Sequence, residues 1–185
     1  MSTHVINPLA KVHQITTEHY DRPTIVLHWL SAALVIMQWV IGRMTGLLPR
    51  GPVRVDIWSV HVLLGVCITL VLIARIAWRC SRGRRLPGKG TPVERVAARI
   101  MHGALYTVLA IAIALVLGFA NTYVHGFPLF NMLTLPGKQG IATILSVNRW
   151  HSLAANVLAA LIFLHTLAAL FHHYVYRDGV LRRML

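Results

Sequence analysis

Four long stretches of this sequence hold no Asp, Glu, Lys or Arg, and they dictate what the chain can fold into. They run from Pro23 to Gly42, from Ile57 to Ala74, from Ile100 to about Ala120 and from Trp150 to Tyr176. An α-helix needs about 20 apolar residues to cross about 30 Å of hydrocarbon, and each run reaches or nearly reaches that length. The chain is therefore expected to be all-α, an integral membrane four-helix bundle. Its helices are expected at about 23–44, 57–79, 96–120 and 149–176, as a single transmembrane domain over 23–185 preceded by a polar segment, 1–22. Composition agrees: 56% of the residues are hydrophobic, only 12% are charged, and the mean hydropathy is +0.63, whereas a soluble domain carries roughly 25% charged residues. The first apolar run is too long for a secretory signal and lacks a small-residue cleavage site, so it reads as a retained anchor.

The charges that remain are unbalanced, 18 basic against 5 acidic. Such an excess suits nucleic acid or an anionic membrane surface, and position decides between them. Twelve of the basic residues fall in 1–22, around 79–99 and after 176, which share one side of a four-span chain; Arg43, Arg50, Arg54, Lys138 and Arg149 fall on the other, with Arg75 left inside the second span. The positive-inside rule then puts both termini of a multi-pass membrane protein in the cytoplasm, and no nucleic acid is expected. Cys67 and Cys80 are too few for a disulfide framework, and neither lies in a CxxCH run, so any haem is held by coordination alone. Of the long connection 121–149, the stretch from Lys138 to Val147 reads equally as a short interfacial helix or a re-entry loop. No internal repeat is apparent.

Histidine carries the chemistry. Of the 11, seven fall within or at the ends of the spans: His28, His61, His102, His151, His165, His172 and His173. Ionisable side chains at membrane depth are costly and mark ion paths, relays or cofactors. His151 and His165 are 14 residues apart, about 40° short of four full turns, so both project from one helix face about 21 Å apart; His172 shares that face. A haem iron with two axial imidazoles needs one from each side. His61 and His151 match in depth at the outer ends of their helices. His28 lies near the inner end of the first helix, and depth alone leaves its partner open: His28 is six residues from Arg22, His172 five from Arg177 and His165 twelve, which favours His172. His102 reads as a hydrogen-bonding residue or a propionate contact, His173 as interfacial, and His4, His13, His19 and His125 as surface.

Arg22-Pro23, Leu27-His28-Trp29, Ser59-Val60-His61 with Gly65, Trp150-His151 and Leu164-His165 through His172-His173-Tyr174 together resemble the bacterial di-haem cytochrome b561 family, over nearly the whole of residues 22–185. The resemblance implies two non-covalent haem b groups with axial pairs His28–His165 and His61–His151. It thus selects His165 over His172, bringing the haem edges near enough to exchange electrons and leaving His172 for a second role. It further implies a quinone-linked oxidoreductase that exchanges electrons with ubiquinone and, in some members, oxidises superoxide at the outer face. Arg149 and His172 are then candidates for electron entry or the quinone site. Arg149, Lys138, Arg50 and Arg54 make the outer face basic enough to attract an anion; they read almost equally well as interface anchors. Two other functions compete. One is a cytochrome b subunit passing electrons from a partner dehydrogenase or hydrogenase to quinone, although no large docking loop is evident. The other is a haem-free transporter using the histidines as a relay.

Overall fold

A computed structural model of the protein describes residues 19–84, 86–119, 127–129, 133–135 and 141–185. Helices occupy all four apolar runs: α1 Arg22–Leu47, α2 Pro52–Ser81, α3 Pro92–Phe119 and α4 Ile141–Phe171. All four are long and apolar enough to cross a membrane. A π-helical turn, His172–Tyr176, continues α4, and a 3-10 turn, Leu181–Met184, follows. Between α3 and α4, β1 Phe127–Leu129 pairs antiparallel with β2 Leu133–Leu135, Phe127 opposite Leu135. This small ribbon lies beside α2 and is an addition to the expected helices.

The helices overrun the apolar runs, and local chemistry explains where they begin. Pro52 opens α2 and Pro23 lies in the first turn of α1, positions where the missing N–H costs nothing. Thr91 and Glu94 cap α3 reciprocally: the Thr91 N–H donates to Glu94 Oε2 at 2.6 Å and the Glu94 N–H to Thr91 Oγ1 at 3.3 Å, a capping box. That starts α3 at Pro92 rather than 96. The stretch expected as an interfacial helix or a loop is, from Ile141 onward, the first turns of α4; Lys138 lies outside the described residues. No Gly or Pro interrupts 141–149, so the helix has no reason to wait for Trp150.

The packing suits a lipid solvent. α1 pairs with α2 and α3 with α4 as two hairpins, and α1 meets α4 between them. Ile73, Leu117 and Phe163 each expose about 60% of their surface, while Ser31, Thr45 and Ser59 are buried beside Ile68, Leu72, Ala112 and Leu158. Small polar residues at helix contacts let backbones approach when lipid tails supply the apolar surroundings. Their hydroxyls donate back to carbonyls one turn earlier, Ser31 to His28, Thr45 to Gly42 and Ser59 to Val55, each at 2.8 Å, so burial leaves no hydroxyl donor unmet.

Both described ends of the chain lie at one end of the bundle, here the terminal end. The Tyr20 N–H donates to Arg183 O at 3.1 Å, Trp29 Nε1 to Met184 O at 2.7 Å and Arg183 Nη1 to Pro87 O at 2.8 Å. Asp21 caps α1 and gathers Thr24 Oγ1 at 2.8 Å, Trp78 Nε1 at 2.6 Å and the Arg84 N–H at 2.9 Å. Burial opposes its charge slightly, but these hydrogen bonds prevail and hold its pKa down to about 2. Asp21→Ala should therefore lower thermal stability in detergent by at least the ~1 kcal/mol of a lost cap. Because the folded-state pKa is depressed, the contribution is complete at neutral pH. The difference between wild type and variant should shrink as pH falls from about 4 towards about 2.

Candidate functional site

A spacing of 14 residues recurs on three of the helices at the positions that meet inside the bundle. On α4 it separates His151 from His165, on α2 His61 from Arg75 and on α1 Gly42 from His28. Fourteen residues come within about 40° of four turns and span about 21 Å, so each of these helices presents one face at two levels. The far level holds Gly42, His61 and His151, with Ala112 of α3; the terminal level holds His28, Arg75 and His165, with His102 of α3. α1 and α2 exchange roles between levels: α2 supplies the histidine at the far level and α1 at the terminal level.

At the far level the His61 and His151 rings face each other with centroids 6.3 Å apart and planes at 86°. His151 Nδ1–H donates to Ala112 O at 3.1 Å, which fixes the tautomer whose Nε2 carries the free lone pair. Gly42 makes room for His61: a Cβ there would stand 3.0 Å from His61 Cε1. Gln38 Nε2 donates to His61 O at 2.9 Å, and Gln38 Oε1 and His61 Nδ1 are buried without a partner among the described residues. Trp58 packs edge-on against His61 at 5.2 Å.

At the terminal level His28 and His165 face each other with centroids 6.4 Å apart and planes at 75°. Depth counted from the flanking arginines fails here: His28 meets His165, not His172. His172 lies seven residues further along, at the start of the π-helical turn, where its Nδ1–H donates to Asp178 Oδ2 at 2.6 Å. Partial burial works against the Asp178 carboxylate, but the Val180 N–H, the His172 ring and the Lys89 ammonium hold its pKa below the usual carboxylate range. Two further residues, Arg75 and His102, join this level. Arg75 Nη2 donates to His28 Nδ1 at 3.0 Å and Nη1 to Ser31 Oγ at 2.8 Å, while its guanidinium lies 5.3 Å from the Tyr106 ring centre. His102 donates from Nδ1 to Ala98 O at 2.7 Å, as a hydrogen-bonding residue should, and also packs against His165 at 5.2 Å. The signal for Arg75 was present, as the one charge inside the second apolar run. His102 was read as a hydrogen-bonding residue or a propionate contact, but its place beside His165 gave no signal, since it has no histidine one face-turn away.

Both pairs suit an iron between two imidazoles. Metal–nitrogen bonds of about 2.0 Å, with ring centres about 1.2 Å behind each nitrogen, separate the centroids of two axial rings by about 6.4 Å; the observed separations are 6.3 and 6.4 Å. Arg149 is exposed on α4 two residues before His151. Arg43 is stacked 5.6 Å from the Trp39 ring centre at the same end, and Trp39 Nε1 donates to Asn156 Oδ1 at 3.3 Å.

The sequence profile of the family described as prokaryotic cytochrome b561 matches residues 19–185. The chain belongs to that family. This b561-family protein is also similar to a cytochrome b562 of Cereibacter sphaeroides, 31% identical over 90% of this chain and 94% of that one. A probable superoxide oxidase CybB of Yersinia pestis is 31% identical over 90% and 95%, and cytochrome b561 homolog 2 of Escherichia coli K12 is 29% identical over 92% and 93%. The b561 protein is thus a multi-pass bacterial membrane cytochrome that binds haem b and carries electrons, which removes the haem-free transporter from consideration.

Proposed function

We propose that this b561-family protein holds two haem b groups, one between His61 and His151 and one between His28 and His165, and passes electrons from superoxide to ubiquinone across the bacterial inner membrane. The observation that carries this is the pair of matched imidazole couples, 6.3 and 6.4 Å apart, on two levels of one bundle. Haem held by these histidine pairs would supply a one-electron iron couple, which suits electron transfer rather than dioxygen binding. The basic excess supports a cytoplasmic terminal end.

The chain's own residues do the rest. His151 holds the ligating tautomer through Ala112, and Gly42 admits the His61 ring against α1. At the far end the exposed Arg149, with Arg43, Arg50 and Arg54, sets a positive field that draws in a small anion. At the terminal end His172, bonded to Asp178 beside Lys89, hands protons to a reduced quinone. The sum balances: two superoxide ions release two electrons and leave as dioxygen, while one ubiquinone takes up those electrons and two protons.

The purified protein should carry about two haem b per chain by pyridine haemochrome assay. In stopped flow, superoxide should reduce it in the absence of quinone, and added ubiquinone should reoxidise it. One haem per chain after expression with ample haem defeats the two-site arrangement. Reduction by quinol but never by superoxide would move the electron donor to a partner dehydrogenase.

A further inference from the structure

The two levels are alike in helix face and ring geometry and unlike in charge. On α2 the far level presents His61, and 14 residues on, at the equivalent position, the terminal level presents Arg75. Arg75 reaches the His28 ring itself. Among the described residues, His61 and His151 at the far level meet neutral groups: Ala112 O on the His151 ring, Trp58 against the His61 ring and the Gln38 amide on the His61 carbonyl.

Among the described residues, no acidic side chain is shown in contact with Arg75. Around it stand His28 and Ser31 of α1, Arg79 of α2, Tyr106 and His102 of α3 and His165 of α4. On its own helix the one acid is Asp56, 19 residues away and so about 28 Å along the axis; Asp21 is engaged by Thr24, Trp78 and Arg84.

The guanidinium is also held independently of His28. Arginine only donates, so its bond to His28 takes the Nδ1 lone pair. An imidazole that ligates through Nε2 carries its proton on Nδ1 and cannot accept that bond. Arg75 then still has Ser31 Oγ and the face of Tyr106 to hold it beside the ring.

We propose that Arg75 makes the terminal-level haem the higher in potential of the two, so that an electron entering at the far end runs downhill to the terminal end. A fixed positive charge in a poorly polarisable interior favours the iron state with one positive charge fewer, the reduced state. Whatever anions surround the site, removing the guanidinium subtracts that preference. The inference rests on the two-haem reading and adds a direction to it.

The test is a spectroscopic redox titration of the two-haem protein, with the His61→Ala protein identifying the terminal-level signal. Two one-electron steps are expected, the terminal-level haem reducing first. Arg75→Gln should weaken its reduction on the order of tenfold, about 59 mV for one electron, and leave the far-level midpoint in place; Arg75→Lys should retain most of the wild-type value. If Arg75→Gln fails to assemble, Ser31→Ala, which loosens the guanidinium without removing it, should shift the same midpoint the same way by less. The proposal is overturned if the terminal-level haem is the lower in potential, if both midpoints move together, or if neither moves. Those outcomes, seen in protein that still binds two haems, leave the two-haem reading standing; a wild-type protein binding one haem sinks that reading instead.

Discussion

Replacing His61 or His151 by alanine is expected to remove one haem of two and leave the spectrum of the other largely intact, and replacing His28 or His165 should do the converse. The rings meet as two separate couples about 21 Å apart along the helices, with no side chain shared between levels, so losing one imidazole ends one bis-histidine site only. His172→Ala should leave both haems bound, because that ring turns to Asp178 at 2.6 Å. Haem content and reduced-minus-oxidised difference spectra read the result; loss of the terminal-level haem in His172→Ala but not in His165→Ala would reverse the pairing. The ring planes add a second measurement. Axial imidazoles at 75° and 86° donate into different iron d orbitals and so leave that orbital pair nearly degenerate. Both ferric sites should therefore give strongly anisotropic low-spin electron paramagnetic resonance signals rather than the rhombic pattern of parallel rings.

Superoxide should reduce the protein fastest at low salt, slowing on the order of tenfold as ionic strength rises from 0.01 M to 0.15 M and the Debye length shrinks from about 30 Å to about 8 Å. Arg149→Gln should slow the low-salt rate about twofold to threefold while leaving both haems in place, since it changes the field and not the coordination. Reduction by an uncharged quinol should ignore both changes. Equal slowing with the two donors, or a superoxide rate indifferent to salt, would rule out steering and favour a docked protein donor.

The spans were legible because charge is so costly in hydrocarbon that its absence over about 20 residues leaves few alternatives. Helix ends were less so, because a helix continues past the lipid edge until caps or breakers stop it. Thr91 and Glu94 held that information for α3, whereas the uncharged run of 141–148 gave no sign of where α4 begins. The His61–His151 couple could be read from depth. The His28 partner could not, because counting residues to Arg22 and Arg177 assumes that both stand at one level, and Arg22 is the first residue of α1 whereas Arg177 lies past the end of the last helical turn. The family resemblance pointed to His165 where spacing did not. The 14-residue register stayed hidden because only α4 repeats the same functional residue; His61 with Arg75 and Gly42 with His28 are equivalent in place and unlike in kind.

The clasp at the terminal end bears on how the protein is made. The hairpins α1–α2 and α3–α4 are local in sequence and can pair as each leaves the translocon. The fastening of Tyr20, Trp29 and Pro87 waits on Arg183 and Met184, which the ribosome delivers after everything they hold. During synthesis the mouth between the hairpins at that end therefore stays unlatched until residues 183 and 184 are made, and these then shut it behind whatever has been loaded there.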